Sequence, residues 1–321
     1  MTGPHTSATS PAGAGRIAFL GPEGTFSEQA LLSQPDYAAM ELVACESIPD
    51  VLHAVSSGEV EVALVPIENA IEGSVNVTLD ALIFDHELRM QREVVIPIVM
   101  CLLAPPGVGV GDIERLVSIP VATAQCRGFI AERLPGIEHV PANSTAGAAR
   151  IVAEEADGRS AAIGTSLAGK VHGLEVLAED IEDHHGNETR FMAVTRGGIP
   201  APTGHDKTTI VVFQRADRPG SLLSILQEFA ARAINLTRLE SRPTKRGLGD
   251  YCFIIDLEGH VGDELVADAL RDLKSKNEDV LFLGSYHAAS ASRRTRGPVS
   301  PAAWAEANDW VQALRGEIPP T

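Results

Sequence analysis

A cluster of polar residues stands directly before an apolar run near residue 190. Asn187, Thr189 and Arg190 supply an amide, a hydroxyl and a fixed cation. Met192 and Val194 continue the chain as a short buried strand. These three polar groups suit an anionic, oxygen-rich ligand at the entrance of the strand. The same pattern is also typical of a loop that simply enters a strand, so this stretch alone leaves both interpretations open.

Two other polar stretches follow predicted strands closer to the start of the chain. Residues 16–21 have the pattern of a buried strand that opens into a Gly/Pro turn, and Thr25 has the position of a helix N-cap. Asn69 follows directly after a predicted strand over 60–67. Open α/β sheets place ligands at the carboxyl ends of their strands, which makes Asn69 a candidate site residue. Each stretch also has an ordinary explanation as a connecting turn.

The elements that must position these residues alternate between strand and helix. The pattern predicts a strand over 42–45 and then a helix over 48–55 that ends at Gly58. The predicted strand over 60–67 comes next, and the apolar run over 94–104 predicts one long strand or a pair of strands. This alternation predicts an α/β fold.

Four separated motifs resemble those of the prephenate dehydratase family and occur in the same order. The resemblance covers about residues 16–286. A fifth stretch, around Ser118, matches only in part. There, Ile119 and Val121 replace a His and a Gln of the family pattern, so no role of those two is carried over. The four motifs are Gly21-Pro22-Glu23-Gly24-Thr25-Phe26-Ser27, Pro66-Ile67-Glu68-Asn69 with Gly73-Ser74, Asn187-x-Thr189-Arg190-Phe191, and Glu240-Ser241-Arg242-Pro243.

The resemblance implies an enzyme that converts prephenate to phenylpyruvate, water and carbon dioxide, with no cofactor and no metal. Thr189 resembles the family's essential threonine and is expected to donate a hydrogen bond to the leaving oxygen. Asn69 and Gln125 are expected to orient substrate or water. Arg190 is expected to pair with a substrate carboxylate, and a structural ion pair to Asp or Glu remains the alternative. The other residues implied to bind substrate are Phe191, Ser118, Thr25 and Ser74.

The resemblance also implies a fold, in which two α/β lobes of the type II periplasmic-binding-protein kind precede an ACT domain. The pattern after residue 206 independently predicts the order βαββαβ of a ferredoxin-like unit. The linker is expected to separate two self-contained folding units, so a chain cut after Gly198 should keep residual activity. The expected boundaries are a flexible tail over 1–15, a catalytic domain over 16–198 with its lobe boundary near 94–111 and its return near 184–195, a linker over 199–206, the ACT domain over 207–286, and a tail over 287–321 with a short helix.

Within the ACT domain, the resemblance implies a site for phenylalanine as an allosteric effector, with inhibition as the expected sign. Gly220 lets an α-carboxylate approach the first N–H groups of the following helix, and Leu222 and Leu223 offer apolar surface to a ring. An ordinary turn before a helix and a surface ion pair explain the same residues without a ligand. The residues implied to form this site are Gly220, Ser221, Leu222, Leu223, Asn235, Glu240, Ser241, Arg242 and Pro243.

Composition and charge restrict the partners of this protein. The 321 residues carry 26 Lys plus Arg against 43 Asp plus Glu, which gives a net charge of −17. An acidic surface argues against nucleic acid and against an anionic membrane, although a cleft with a few cations still accepts an anionic substrate. The four cysteines lack the spacing of a metal site or a disulfide framework. We expect a cytoplasmic protein, because the sequence has neither a signal-peptide pattern nor an apolar run long enough to span a bilayer. We also expect a homodimer or homotetramer.

Three alternatives remain open at this point. The substrate is equally well arogenate, which carries an amino group where prephenate has a keto oxygen. The chain is also compatible with a solute-binding protein or with a catalytically silent amino-acid sensor. The absence of a signal-peptide pattern opposes a solute-binding protein. An intact Thr189-Arg190-Phe191 opposes a catalytically silent sensor.

Overall fold

The computed structural model describes residues 15–214, 218–247, 249–289 and 301–316. The predicted N-terminal tail, apart from Gly15, lies outside the described residues, as do residues 290–300 and 317–321 of the predicted C-terminal tail. The chain divides into two compact units. The first contains the described residues up to Leu64 together with Val99–His185, and the second contains Val65–Ile98 together with the described residues from Gly186 onward.

The chain up to residue 97 alternates strands and helices, as its pattern predicts. The Ser47 hydroxyl caps the predicted helix after residue 48, and Gly58 ends it with a left-handed φ of 85°. The elements are β1 (Arg16–Leu20), α1 (Phe26–Leu32), α2 (Pro35–Ala38), β2 (Glu41–Cys45), α3 (Ile48–Ser57), β3 (Val62–Asn69), β4 (Gly73–Ser74), α4 (Asn76–Asp80) with a π-helical turn over Ala81–Asp85, and β5 (Arg89–Pro97).

The middle of the chain adds a second set of α/β elements. The apolar run over 94–104 forms a pair of strands, of which the first ends at Pro97 and the second begins at Cys101. The elements are β6 (Cys101–Ala104), a short 3-10 turn over Val110–Asp112, β7 (Arg115–Ser118), α5 (Pro120–Gln125), α6 (Arg127–Arg133), β8 (Glu138–Pro141), α7 (Thr145–Glu155), β9 (Ser160–Gly164), α8 (Ser166–His172), β10 (Glu175–Ala178) and β11 (Glu188–Thr195).

The first compact unit contains both parallel and antiparallel strand pairs. Strand β1 pairs in parallel with β2 and with the start of β3, and Ile17 and Phe19 on β1 are fully buried. A separate five-stranded sheet has the order β10-β6-β9-β7-β8. Leu103, Val117 and Ala162 from three of its strands form the core beneath α7 and α8. The predicted α/β class is therefore confirmed.

The C-terminal part of the second unit has the predicted order βαββαβ. Its core lies between the strands and two helices and includes Ile210, Phe229 and Ile255. The elements are β12 (Asp206–Phe213), α9 (Ser221–Ala230), β13 (Leu236–Pro243), β14 (Tyr251–Glu258), α10 (Glu264–Lys276) and β15 (Asp279–His287), followed by α11 (Pro301–Gly316). The strand order β13-β14-β12-β15 is that of a ferredoxin-like sheet, which confirms this prediction.

Strands from both sides of the linker share one sheet in the second unit. The order continues from β15 through β5 and β11 to β3. Strand β15 meets β5 in parallel at His287 and Arg92, and β5 pairs with β11 in antiparallel register along its length. The strand that carries Thr189 therefore lies in the same sheet as the βαββαβ region.

Among the described residues, no helix combines the length and the hydrophobicity that crossing a bilayer would require.

Candidate active site

The second unit brings Asn69 and Thr189 together at the ends of β3 and β11. Asn69 Nδ2 donates a hydrogen bond of 2.9 Å to Thr189 Oγ1. The start of β11 is held on both sides, because Ala70 N donates to the Glu188 carbonyl at 2.9 Å and Ile98 N donates to the Asn187 carbonyl at 2.8 Å. Thr189 is only 8% exposed. Its hydroxyl thus has a defined position at the carboxyl end of a neighbouring strand, where the sequence predicts a ligand.

The orientation of the Asn69 amide follows from its hydrogen bonds. Asn69 Oδ1 accepts from Ile71 N at 3.0 Å and from Glu72 N at 2.9 Å, and backbone N–H groups can only donate. Nδ2 must therefore face Thr189. An amide NH₂ group only donates, so Thr189 receives this bond through an oxygen lone pair and keeps its own proton to donate elsewhere.

Asn187, one of the three polar residues that the sequence indicates for an anionic ligand, completes this polar group. Its Oδ1 accepts a hydrogen bond of 2.9 Å from Asn69 Nδ2. Its Nδ2 is buried and has no hydrogen-bond partner among the described residues. A buried donor without an acceptor is costly, and in a native protein it commonly marks a place for a ligand or an ordered water. The sequence signal for it was present, since Asn187 begins the same motif as Thr189.

Arg190 points away from the Asn69 cluster, because successive residues of a strand face opposite sides of the sheet. Its Nε lies 2.5 Å from Glu93 Oε1 and its Nη1 lies 2.7 Å from Asp256 Oδ2. Nη2 donates to Tyr286 Oη at 2.9 Å. The guanidinium is therefore held by side chains of the protein itself. The structural ion pair that the sequence left open is the arrangement found, and it differs from the expected clamp on a substrate carboxylate.

The carboxylates around Arg190 are ionised despite their burial. Burial raises the pKa of Glu93, but Arg190 and Lys207 outweigh this effect, so that its pKa is lowered. Burial likewise acts to raise the pKa of Asp256, and the nearby Arg190 and Arg238 guanidinium groups reverse the shift, so that this pKa is also lowered. Buried carboxylates remain charged only beside cations and donors of this kind.

Three predicted site residues belong to the first unit. Thr25 caps α1, where its hydroxyl accepts from Glu28 N at 3.4 Å and donates to the Leu20 carbonyl at 3.1 Å. Ser118 ends β7 and is 4% exposed, and Gln125 ends α5 and is 9% exposed. Ser118 stands at a strand-to-helix junction between β7 and α5, and the N-cap role of Thr25 is found as predicted.

Two further predicted substrate ligands have protein neighbours in the second unit. Ser74 Oγ donates to Glu240 Oε2 at 2.6 Å and accepts from Arg238 Nη2 at 2.7 Å. Phe191 is 1% exposed and belongs to the core. Phe191 therefore supports the strand, and Ser74 connects β4 to β13 of the βαββαβ region.

The predicted effector residues fall into two places within the second unit. Gly220, Ser221, Leu222 and Leu223 line a hollow of about 380 Å³ at the start of α9, together with Phe253 and others. Gly220 has a φ of +88° and precedes the first helical N–H groups. The volume falls in the usual range for small-ligand sites, about 300–1,000 Å³.

The Glu240 to Pro243 segment is not part of the lining of this hollow. Arg242 Nε donates to Asp80 Oδ1 at 2.8 Å, and Arg238 Nη2 lies 2.5 Å from Glu240 Oε2. Burial acts to raise the pKa of Glu240, and hydrogen bonds from Ser74 and Arg238 outweigh it, so that the pKa is lowered. This segment thus joins β13 to β4 and α4. Asn235 is exposed between α9 and β13.

Two buried cysteines of the first unit, Cys101 and Cys126, have raised pKa values. All four thiols are free. Burial raises the pKa of Cys126 to about 12, and Glu182 and Asp183 add to the shift. Burial also raises the pKa of Cys101 to about 11. A thiol that stays protonated is a poor nucleophile, so neither residue suits covalent catalysis.

The fold and the site define an α/β protein. The Asn69 amide holds the Thr189 hydroxyl at a strand end, and the strand that carries Thr189 belongs to the same sheet as the ferredoxin-like region. Comparison with known families gives this class a name. Residues 17–198 match the model of prephenate dehydratase, and residues 208–275 match the model of the ACT domain. The chain belongs to the prephenate dehydratase family.

Individual relatives agree with the family match. The prephenate dehydratase of Mycobacterium marinum is 42% identical over 310 residues, covering 94% of this chain and 96% of that protein. The crystal structure of the Arthrobacter aurescens prephenate dehydratase in complex with L-Phe is 44% identical, with a TM-score of 0.86, and covers 94% of this chain and 99% of that chain. A solved structure described as a novel type of quorum quenching acylase is also similar, with 33% identity, a TM-score of 0.78, and coverage of 87% and 100%.

Proposed function

We propose that this protein is a prephenate dehydratase, which converts prephenate to phenylpyruvate, water and carbon dioxide, and that L-phenylalanine regulates it. The observation that carries the proposal is the hydrogen bond of 2.9 Å from Asn69 to Thr189. This bond leaves the Thr189 hydroxyl free to donate its proton, and strands β3 and β11 fix the position of the hydroxyl. Family membership and the relatives named above support the same activity.

The difficult event in this reaction is the departure of hydroxide from the ring. The electron pair of the bond between the ring and its carboxylate moves into the ring as that carboxylate leaves as carbon dioxide. The ring hydroxyl on the opposite carbon departs with its own bonding pair and becomes water after it receives a proton. Aromatisation of the ring drives both steps, and neither step needs a cofactor.

Thr189 serves this reaction as a hydrogen-bond donor to the departing oxygen. A threonine hydroxyl is too weak an acid to transfer its proton outright, so we propose polarisation of the leaving group, with water completing the proton transfer. The Asn69 amide stabilises negative charge that develops on Thr189 Oγ1 as the bond to the leaving group breaks. A donor fixed in advance pays no reorganisation cost during the reaction.

Asn187 is proposed to supply a further donor to the substrate. Its buried Nδ2 has no acceptor among the residues that the structure describes. An oxygen-rich substrate offers such an acceptor, and the bond would remove the cost of an unsatisfied donor. Gln125, Ser118 and Thr25 remain proposed contributors from the first unit, and Arg190 is proposed to hold the strand rather than the substrate.

The activity is tested by following phenylpyruvate in the ultraviolet with purified protein and prephenate, with arogenate in a parallel reaction. Product from prephenate supports the proposal, and product from arogenate alone makes the protein an arogenate dehydratase. Binding of either compound without turnover identifies a sensor. A third assay uses an acylated quorum-sensing signal as the substrate, because one similar structure is described as a quorum quenching acylase.

Regulation by L-phenylalanine is proposed to begin in the hollow at the start of α9. Gly220 opens the approach to the first N–H groups of this helix, which suit the α-carboxylate. Leu222 and Phe253 offer apolar surface to the ring. The bound L-Phe in the Arthrobacter aurescens relative supports this assignment.

The proposal includes an oligomeric state and a cellular location. We propose a homodimer or homotetramer, since β13 is an edge strand of its sheet, and Leu239 on it is 44% exposed. Sedimentation velocity tests this, with a monomer as the contrary result. We propose a cytoplasmic location, which the four free thiols favour because reducing compartments preserve them. Cell fractionation tests that location.

A further inference from the structure

The side chains that fix Arg190 come from both sides of the linker. Glu93 lies on β5, Asp256 on β14 and Tyr286 on β15. The side chain of Arg190 is 11% exposed, and those of Glu93 and Asp256 are each 1% exposed. Glu68 Oε2, on β3, also lies 3.5 Å from Arg190 Nη1. Every nitrogen of the guanidinium thus has a partner, and two of the four partners, Asp256 and Tyr286, belong to the ACT region, residues 207–286.

Asp256, Tyr286 and Glu93 have further contacts of their own. Asp256 Oδ1 accepts from Thr209 Oγ1 at 2.7 Å, and Thr209 Oγ1 lies 2.6 Å from Tyr286 Oη. Glu93 Oε1 accepts a hydrogen bond of 2.9 Å from Lys207 Nζ. This network of hydrogen bonds and ion pairs restrains the guanidinium relative to β12, β14 and β15.

Arg190 in turn fixes the residue next to it. Arg190 and Thr189 are consecutive on β11, and their side chains face opposite sides of the sheet. A rotation or shift of the backbone at Arg190 therefore displaces the Thr189 hydroxyl directly. A displacement near 1 Å can cost about a hundredfold in rate, because the donor must meet the leaving oxygen at hydrogen-bond distance.

Strand β14 also connects this cluster to the proposed effector site. Phe253 lines the hollow at the start of α9, and Asp256 follows three residues later on the same strand. The two side chains face opposite sides of the sheet. A ligand that shifts β14 at Phe253 would therefore shift the carboxylate that holds Arg190.

We propose that Asp256, although it lies in the ACT region, is a positioning residue for the dehydratase reaction: it holds Arg190 and thereby sets the place of Thr189. Movement of Asp256 with β14 then transmits the effector signal to the active site. This inference rests on the proposed function. It requires no contact between Asp256 and the substrate.

The test compares Asp256→Asn, Arg190→Gln and the double variant in the full-length protein. Because Asp256 acts only through Arg190, each single variant is expected to lower kcat for prephenate by about ten- to a hundredfold with KM within about twofold of the wild-type value. The double variant is expected to be no slower than the slower single variant. Losses that multiply, or a wild-type kcat in Asp256→Asn, would overturn the inference.

Two further measurements separate positioning from general destabilisation. Tyr286→Phe removes one bond to Arg190 but leaves the charges and the ring, so a smaller loss of kcat is expected even if Asp256→Asn fails to fold. Asp268→Asn is the matched control, since it removes an ACT carboxylate that pairs with Arg232 and should keep the wild-type kcat. An equal loss in the control, or a wild-type kcat in Tyr286→Phe, contradicts the inference.

The effector response gives the second readout. Asp256→Asn is expected to bind L-phenylalanine in calorimetry with little change in affinity, whereas phenylalanine changes its kcat far less than it changes the wild-type kcat. An intact response in a folded Asp256→Asn protein argues against transmission through Asp256. Wild-type protein that makes no product overturns the proposed function and this inference together, whereas an active wild type with an unaffected variant overturns the inference alone.

Discussion

Thr189 and Asn69 are 120 residues apart in sequence, and their side chains meet at 2.9 Å. The direction of this hydrogen bond is fixed by the two backbone N–H groups that occupy Asn69 Oδ1. Thr189 therefore accepts from Asn69 and is free to donate its own proton.

Thr189→Val is expected to keep the fold and to lower kcat by at least about a hundredfold, the scale of one lost transition-state hydrogen bond. Valine preserves the size and the β-branching of threonine but lacks the hydroxyl. The measurement is phenylpyruvate formation at saturating prephenate. Thr195→Val, at the far end of the same strand, is the control and should retain wild-type turnover. A folded Thr189→Val protein with normal turnover would show that Thr189 is not the leaving-group donor.

Asn69→Asp is expected to lower kcat by at least about tenfold while the fold is retained. The new carboxylate still accepts from Ile71 N and Glu72 N, but it has no proton to donate to Thr189. Thr189 would then turn its own proton toward the carboxylate and away from the substrate. Steady-state kinetics check the loss of kcat, and circular dichroism checks the fold. Unchanged kinetics would remove Asn69 from the mechanism.

Asp256→Asn is expected to lower the free energy of unfolding at pH 7 by about 3–5 kcal/mol, because it leaves Arg190 with less compensation for its burial. Glu154→Gln is the control on an exposed helical ion pair, and it should change this free energy by less than about 0.5 kcal/mol. Urea unfolding followed by circular dichroism gives both values. Equal effects of the two substitutions would mean that the buried cluster contributes no more than a surface pair.

The contribution of Glu93 and Asp256 to stability should depend on pH. The pKa values of Glu93 and Asp256 are lowered in the folded protein, whereas unfolded Glu and Asp titrate near about 4.3 and about 3.9. Their contribution to stability is therefore fully present above these unfolded values and is lost as the pH falls through the lower, folded values. Wild-type protein should lose stability more steeply below about pH 4 than Asp256→Asn. Parallel curves would contradict the assignment.

Gly220→Val is expected to abolish or strongly weaken binding of L-phenylalanine. Gly220 has a φ of +88°, which is unfavourable for valine, and a side chain there occupies the approach to the helix N–H groups. Gly136→Val is a matched control with a φ of +76° in the first unit. Titration calorimetry measures L-phenylalanine binding to wild type, Gly220→Val and Gly136→Val. No binding to wild type, or unaltered binding to Gly220→Val, would rule out this site.

A chain that ends at Gly198 is now expected to be insoluble or inactive. The sequence suggested the opposite, because the linker looked like a boundary between two self-contained units. Such a fragment loses Asp256 and Tyr286 from Arg190, and it loses Lys207 from Glu93. Removing one side of a buried ion-pair cluster leaves uncompensated charge. A soluble fragment with measurable dehydratase activity would restore the original expectation.

Much of the fold follows from local rules in the sequence. Alternating apolar patterns located the strands and helices, and short-range signals such as Ser47 before α3 and Gly58 after it marked helix ends. The βαββαβ order of residues 206–287 was predicted in the same way. These signals succeed because capping and strand alternation involve residues that are close in sequence.

The sequence also indicated the central site residues, while their partners depended on tertiary structure. Spacing within one motif pointed to Thr189 and Arg190, and the end of a predicted strand pointed to Asn69. Nothing local to Asp256 or Tyr286 indicates that they hold Arg190, since the first lies 66 residues and the second 96 residues away. Strand register across the sheet decides which buried charges meet, and so it made Arg190 a structural cation where the sequence alone favoured a substrate ligand.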